Sequence, residues 1–350
     1  MNQAPVQTRD IVVIGASAGG LAPLQRILGR LPENLPAAVF IVMHVGTSSR
    51  LASVLSRDAT LPVTEAGSGD EIEHGRVLIA PPGFHLLLHD RHTLLRRGPR
   101  ENMARPAIDP LFRSAACSFS TRVIGVILSG ALNDGAAGLK AIKRCGGTAV
   151  VQDPQEADHP EMPRSALNHT QADHVIGADA IAGLLARLTA QRAPPAPEIP
   201  VEIRVETALA AQELQAMKTE DELGVRSPFT CPECAGTLWE IDDGELLRYR
   251  CHVGHAFTGQ VLAAAQSQTF ESMLWSLFRH SKERAALSRL LAERQNRFGD
   301  NLASEFERRA ADYEEGAEIF RKLLLDRKSF EQERRLEERV DGQGGAQKAE

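Results

Sequence analysis

The stretch that decides the fold is "DIVVIGASAGGLAPLQRIL", residues 10–28. Its apolar run ends in Gly15-Ala16-Ser17-Ala18-Gly19-Gly20, and a helix-spaced pattern begins at once, so the chain turns sharply from strand to helix. Such a turn can cradle a phosphate or present a nucleophile. A dinucleotide-binding turn needs Gly-x-Gly-x-x-Gly and an acidic residue closing the second strand. Here Ser17 replaces the middle glycine, and the next apolar run, "AVFIVMH", ends in His44. Nucleotide binding therefore ranks last. The residues do fit Gly-x-Ser-x-Gly, in which a serine sits on a tight turn with its hydroxyl exposed beside a helix N-terminus. A plain Gly/Ser-rich turn is the structural alternative.

Outward from this turn, β-branched runs alternate with helical segments to about residue 190: "IVVIGAS", "AVFIVMH", "RVLIAPPG", "RVIGVILSG", "GTAVVQD" and "ADHVIG". Runs apolar throughout belong to strands covered on both faces, which predicts an α/β domain with a doubly wound, mainly parallel sheet. "HLLLHDRHTLLRRGPR" interrupts the alternation and reads as a hairpin or extended excursion. In a parallel sheet the carboxyl ends of the strands share one rim. Ser17, His44 and Asp134 each follow a strand and should meet there, with neighbouring strands only ~4.8 Å apart. His44 would take the Ser17 proton, and Asp134 would orient and stabilise the imidazole. Taken singly, His44 reads as a hydrogen-bonded strand-end histidine and Asp134 as the N-cap of the following helix. Their convergence on one edge favours chemistry.

Composition sets the bounds. The 350 residues, 43% hydrophobic and 25% charged, have room for about two domains, and a formal charge of −6 provides no broad basic surface for nucleic acid. No apolar run approaches the ~20 residues of a membrane span, and "MNQAPVQTRD" has no signal-peptide core, so the expectation is a cytoplasmic protein without direct membrane insertion. Of five cysteines, Cys117 and Cys145 stand apart. Cys231, Cys234 and Cys251 cluster in "CPECAGTLWEIDDGELLRYRCHVGH", where His255 completes a Cys₃His set suited to a closed, tetrahedral structural zinc. His252 competes for the fourth place, but the Cys-x-x-x-His spacing favours His255. Three reduced thiols in a small core are the alternative.

The resulting organisation is an α/β domain over 8–190, a Pro-rich linker over 191–204, a short helix (near 205–218) plus zinc-binding, zinc-ribbon-like module over 205–258, a helical hairpin over 259–338, and a disordered tail over 339–350. In the hairpin Leu274, Phe278, Leu287 and Leu291 should share a face, "FGDN" at 298–301 should turn the chain, and the apolar stripe suits self-association.

The first ~185 residues resemble the catalytic domain of CheB-type chemotaxis protein-glutamate methylesterases. "IGASAGG", "VMHV", "APPGFHLLL", "ARPAIDPLFRSAA", "ILSGALNDGAAGLKAIK" and "QDPQEADHPEMPRSAL" carry the resemblance in order. It implies a Ser17–His44–Asp134 triad that hydrolyses glutamyl methyl esters on the cytoplasmic helices of chemoreceptors, or deamidates their glutamines, without a catalytic cofactor. It further implies an oxyanion site at the backbone N–H groups of Ala18 and Ala131, and Arg105 facing an acidic receptor surface. Asp109-Pro110 reads as a helix N-cap and first turn, and His85 and His159 as structural or exposed. Two departures bear on substrate fit: Ala18 replaces a small hydroxyl residue, and Ala131-Leu132 replaces Met-Gly. The nine residues before Asp10 are too few for a receiver domain, so the expectation is control from elsewhere in a two-component pathway. The rival reading is a catalytically idle scaffold or adaptor acting through its zinc and helical part.

Overall fold

The computed structural model describes residues 7–44, 50–212, 224–241, 243–244, 246–296 and 302–325. Two compact units divide the chain, residues 1–262 and 263–350. The first unit opens with β1 (Ile11–Ala16), α1 (Leu21–Leu28), β2 (Ala38–Met43), α2 (Leu51–Leu55), β3 (Val63–Glu65) and β4 (Val77–Ile79). A hairpin, β5 (His85–His89) and β6 (His92–Arg96), leads to α3 (Ile108–Phe119) and β7 (Val123–Ile127). Then come α4 (Ala136–Arg144), β8 (Thr148–Gln152), α5 (Glu161–His169), β9 (His174–Ile176) and α6 (Ala178–Thr189).

Seven strands pair in the order β3-β4-β2-β1-β7-β8-β9, every pair parallel, which is the doubly wound sheet that the apolar runs imply. Strand periodicity sorts the core into two layers. Ile11, Val13, Phe40 and Val42 face α3, α4, α5 and the hairpin, while Val12, Ile14, Val39 and Ile41 face α1, α2 and α6. Only β3 escaped the sequence reading: it is three residues long, and of these only Val63 is buried. From β1 the chain winds outward through β2 and β4, then returns to place β7 on the other side of β1. That reversal marks a crevice at the carboxyl edge.

After the Pro-rich stretch, α7 covers Val201–Ala210 and starts directly after Pro200, whose φ of −57° suits a helix entry. The helix expected near 205–218 therefore begins earlier, and residues 213–218 lie outside the described residues. A four-stranded antiparallel ribbon follows, β10 (Val225–Thr230), β11 (Thr237–Ile241), β12 (Arg248–Cys251) and β13 (Ala256–Thr258). It belongs to the same compact unit as the large sheet.

Helix α8 (Gly259–Asn296) leaves the first unit, and α9 (Leu302–Leu325) follows in the second. Arg289 and Lys282 pair with Glu314, and the Arg284 guanidinium lies 5.0 Å over the Tyr313 ring, so these helices lie side by side. Their buried seam runs through Leu274, Ala285, Ser288 and Ala292 on α8 and Ala303, Ala310 and Ala317 on α9. That is a heptad pattern built on small residues, which lets helices approach closely. Leu287 does not join it: one position off the repeat, it is 56% exposed. The expected turn at 298–301 and tail at 339–350 fall outside the described residues. No described helix is long and apolar enough to cross a membrane.

Candidate active site

Strand register builds the site. Ala16 pairs with Met43 in the β1–β2 ladder, so the next residues, Ser17 and His44, emerge side by side. The His44 N–H donates to Ala16 O at 3.2 Å, which extends the ladder by one step. His44 Nδ1 stands 3.0 Å from Ser17 Oγ, and its Nε2 stands 2.8 Å from Asp134 Oδ2. A carboxylate only accepts, so Nε2 carries the proton and Nδ1 turns its lone pair to the serine hydroxyl. The three groups expected at one rim do meet there.

The serine turn is pinned from behind. Ser17 N–H donates to Ser129 O at 3.0 Å, and Ser129 Oγ donates to Ala18 O at 2.9 Å while accepting from His159 N–H at 2.9 Å. Gly19 has φ +70°, and a Cβ there would come within 2.8 Å of Asp158 Cβ. At Gly130 a Cβ would lie 2.3 Å from Met162 Sδ and 2.9 Å from Ser17 Cβ, so the loop after β7 can approach the serine this closely only with glycine there.

Asp134 is 2% exposed and does not cap its own helix, where Gly135 occupies the N-cap. It caps α3 instead. Oδ2 accepts from Ile108 N–H at 2.7 Å, and Oδ1 accepts from Gly135 N–H and Asn102 Nδ2, each at 2.9 Å, and from Asp109 N–H at 3.3 Å. Burial alone would raise its pKa, but the hydrogen bond and charge of His44, with the Ile108 and Asn102 donors, hold it below the usual carboxylate range. Asp109 goes the other way: burial and then the Asp134 charge push it up to about 7. The two carboxyls share the Asn102 amide, whose Nδ2 also donates to Asp109 Oδ2 at 2.9 Å. Asp109 lies in the first turn of α3, whose N-cap is Ala107, so its expected capping role passes to Asp134.

An open cleft of about 870 Å³ adjoins His44 and is walled by Phe84, Arg97, Arg100, Asn102 and Arg105 among others. Arg105 is half-buried, and its Nη1 donates to Gly98 O at 2.6 Å. His85 is structural: Nδ1 accepts from Ala107 N–H at 3.2 Å, Nε2 donates to Pro99 O at 2.8 Å, and burial lowers its pKa. Among the described residues, neither the Ala18 nor the Ala131 backbone N–H has a hydrogen-bond partner.

A second cluster lies in the ribbon. One ligand atom from each of Cys231, Cys234, Cys251 and His255 falls within 4.8 Å of all the others. Tetrahedral zinc, with Zn–S ≈ 2.3 Å and Zn–N ≈ 2.05 Å, implies ligand separations of about 3.8 Å for S···S and about 3.6 Å for S···N. Cys234 Sγ and Cys251 Sγ are 3.7 Å apart, and Cys251 Sγ and His255 Nδ1 are 3.5 Å apart, so the residues fit that ion. His252 turns its ring toward Gly236 instead.

Buried charges join ribbon to sheet. Arg113 on α3 pairs with Glu101 at 2.5 Å, and Arg250 on β12 reaches Glu101 at 3.1 Å and Glu206 at 3.2 Å. Arg248 holds Glu206 and, at 3.1 Å, Asp243. Sequence reasoning passed over this network, and Asn102 with it. The visible signal was an Arg-x-Arg alternation, "RYR", on a short strand, and its partners sit far off in the chain.

The CheB methylesterase family matches residues 12–185. A putative protein-glutamate methylesterase/protein-glutamine glutaminase of Leptospira interrogans serogroup Icterohaemorrhagiae serovar copenhageni is 42% identical over 182 residues, 51% of this chain and 94% of that protein. A protein-glutamate methylesterase/protein-glutamine glutaminase 2 of Anaeromyxobacter dehalogenans is 40% identical over 182 residues, 53% of its length. Among solved structures, the Thermotoga maritima CheB methylesterase catalytic domain aligns with a TM-score of 0.50 at 36% identity, covering 51% of this chain and 98% of that one.

Proposed function

Because this chain belongs to the CheB methylesterase family, we propose that it is a serine hydrolase that removes methyl esters from glutamate side chains of chemoreceptors in the cytoplasm and deamidates receptor glutamines. The observation that carries the reading is the continuous relay from Ser17 Oγ through His44 to Asp134 at the carboxyl edge of the sheet.

Ser17 Oγ attacks the ester carbonyl carbon as its proton passes to His44 Nδ1, and Asp134 stabilises the imidazolium through Nε2–H. The oxyanion sits against the backbone N–H groups of Ala18 and Ala131, each worth about 3 kcal/mol in such a site. The tetrahedral species collapses, His44 returns the proton to the departing methoxide, and methanol leaves an acyl-Ser17. Water then gives its proton to His44, attacks the acyl carbon and frees glutamate, with Ser17 reprotonated. On glutamine, ammonia leaves in place of methanol. Arg97, Arg100 and Arg105 give an otherwise acidic protein a basic cleft wall, which suits the acidic face of a receptor helix.

Cys231, Cys234, Cys251 and His255 would hold one zinc ion, which closes the ribbon and leaves no coordination position for water. A strand module this small has little core of its own, so metal ligation supplies folding energy. The helices α8 and α9 are a candidate self-association element.

Methanol release from a methylated receptor fragment tests the enzyme: Ser17→Ala should abolish it, and undiminished turnover would end the proposal. Elemental analysis should find about one zinc per chain, lost in Cys234→Ser.

A further inference from the structure

Between the metal cluster and the catalytic carboxylate stands one side chain, Asn102. It is 7% exposed, and both polar atoms of its amide, together with its backbone N–H, have partners. Its Nδ2 bridges Asp134 Oδ1 and Asp109 Oδ2, both at 2.9 Å. Its Oδ1 accepts from Thr258 N–H at 3.1 Å, and its own N–H donates to Ala256 O at 2.8 Å. Both ribbon partners lie on β13, a three-residue strand that begins immediately after the ligand His255. Thr258 Oγ1 also donates to the Oδ1 of Asn133, the neighbour of Asp134, at 2.6 Å.

The surrounding backbone leaves little slack. Asn102 and Met103 have φ of 51° and 62°, a left-handed conformation that costs a non-glycine residue energy and persists where the surrounding contacts offset that cost. Those surroundings are the ribbon: Glu101 bridges Ala256, and Arg100 pairs at 2.9 Å with Glu233, inside the Cys-x-x-Cys knuckle. The same loop walls the substrate cleft through Arg100, Asn102 and Arg105.

We propose that metal ligation by Cys231, Cys234, Cys251 and His255 switches the esterase on by fixing β13, which through Asn102 holds Asp134 in register with His44; Asn102 is the positioning residue of the triad. Without the ion, the start of so short a strand is held only by its ladder with β12, by Cys251 N–H on His255 O at 2.9 Å and by Ala256 N–H on Arg100 O at 3.3 Å, and the ribbon end that bears these bonds is no longer tied to the Cys-x-x-Cys knuckle. Asn102 then loses the partners of its Oδ1 and N–H, and both the Asp134 carboxylate and the cleft wall lose their brace. This inference rests on the esterase and zinc readings above and adds a dependence of one on the other.

The test uses the full chain, kept reduced, zinc-loaded or stripped with a chelator. Ser17 is labelled with an alkyl fluorophosphonate and the adduct followed by mass spectrometry, so nucleophile activation is read without any receptor substrate. Stripping should slow the saturating labelling rate roughly 10- to 100-fold, the cost of misplacing a catalytic group by about an ångström, with little change in the half-saturating reagent concentration. Added zinc should restore the rate. Asn102→Ala should label as slowly as stripped protein, and stripping it should change the rate by less than about twofold, because the link is already cut. Hydrogen exchange supplies a readout apart from reactivity: on stripping, the Ile108 and Gly135 amides, which donate to Asp134, should lose protection while the β1 and β7 amides keep theirs. Stripped protein labelling as fast as loaded protein would overturn the proposal, as would a full zinc effect persisting in Asn102→Ala. Loss of protection throughout the large sheet would also overturn it, because the ion would then only hold the fold together. Zinc-dependent labelling without release of methanol from any methylated receptor would remove the substrate reading and leave this one standing.

Discussion

Replacing Asp134 by asparagine changes one atom at the best-connected position of the site. Five donors converge on its carboxylate: His44 Nε2–H and Ile108 N–H on Oδ2, and Asn102 Nδ2, Gly135 N–H and Asp109 N–H on Oδ1. An amide presents one acceptor and one donor. With its NH₂ in the Oδ1 place it would face three donors, so the less costly orientation puts NH₂ in the Oδ2 place. There it leaves Ile108 N–H unpaired, which costs about 1–3 kcal/mol of stability. It also donates to His44 Nε2, which forces the imidazole proton onto Nδ1, facing Ser17. The base then has no lone pair for the serine proton. The equivalent wrong tautomer in a serine protease lowers kcat about 10⁴-fold, or about 5.5 kcal/mol at 1.36 kcal/mol per tenfold. Asp134→Asn should therefore release methanol about 10⁴-fold more slowly at saturating receptor fragment, with KM within about threefold, and should unfold at lower urea concentration. A kcat within tenfold of the parent would refute the tautomer argument, and an unchanged unfolding free energy would refute the capping argument.

Three further predictions follow from individual contacts. Gly130→Ala places a methyl 2.3 Å from Met162 Sδ and 2.9 Å from Ser17 Cβ, so it should cost at least tenfold in kcat while leaving the thermal midpoint within a few degrees; unchanged turnover would mean that the serine does not depend on this approach. Burial would raise the Glu101 pKa, but the Arg113 and Arg250 charges hold it at about 2, against an ordinary 4.5, so its contribution, on the order of 3 kcal/mol, is complete above about pH 4.5 and is lost as pH falls toward 2. Urea midpoints across that window should fall more steeply for the parent than for Glu101→Gln. Arg105→Ala should raise KM for an acidic receptor fragment about three- to tenfold, less so at high salt, with hydrolysis of a small uncharged ester unaffected.

How much of this was legible follows from the range of each interaction. Ser17 and His44 could be paired from the chain alone because each is the first residue after an apolar run, and parallel register aligns such residues on adjacent strands. Asp134 followed from the coarser rule that the carboxyl ends of parallel strands share one rim, since it lies in the loop beyond β7 and not directly at its end, although its partner helix did not follow: the local rule predicts that an aspartate before a helix caps that helix, whereas this one caps α3. The Cys₃His cluster was legible because its spacing is local. The α8 seam was misread at Leu287, since a search for large apolar residues overlooks a heptad carried by Ala285, Ser288 and Ala292.

The sequence by itself determined the parallel sheet, the meeting of Ser17, His44 and Asp134 on its rim, the hairpin and the Cys₃His set, because each depends on local periodicity, on local spacing or on the shared direction of parallel strands. Only the tertiary structure decided that the ribbon packs into the same compact unit as the large sheet, through partners far apart in the chain. Asn102 meets Thr258 across 156 residues of chain, and Glu101 meets Arg250 across 149. No local pattern specifies such partners; burial forces them, because a charge or amide taken out of water must be matched wherever in the chain its complement lies.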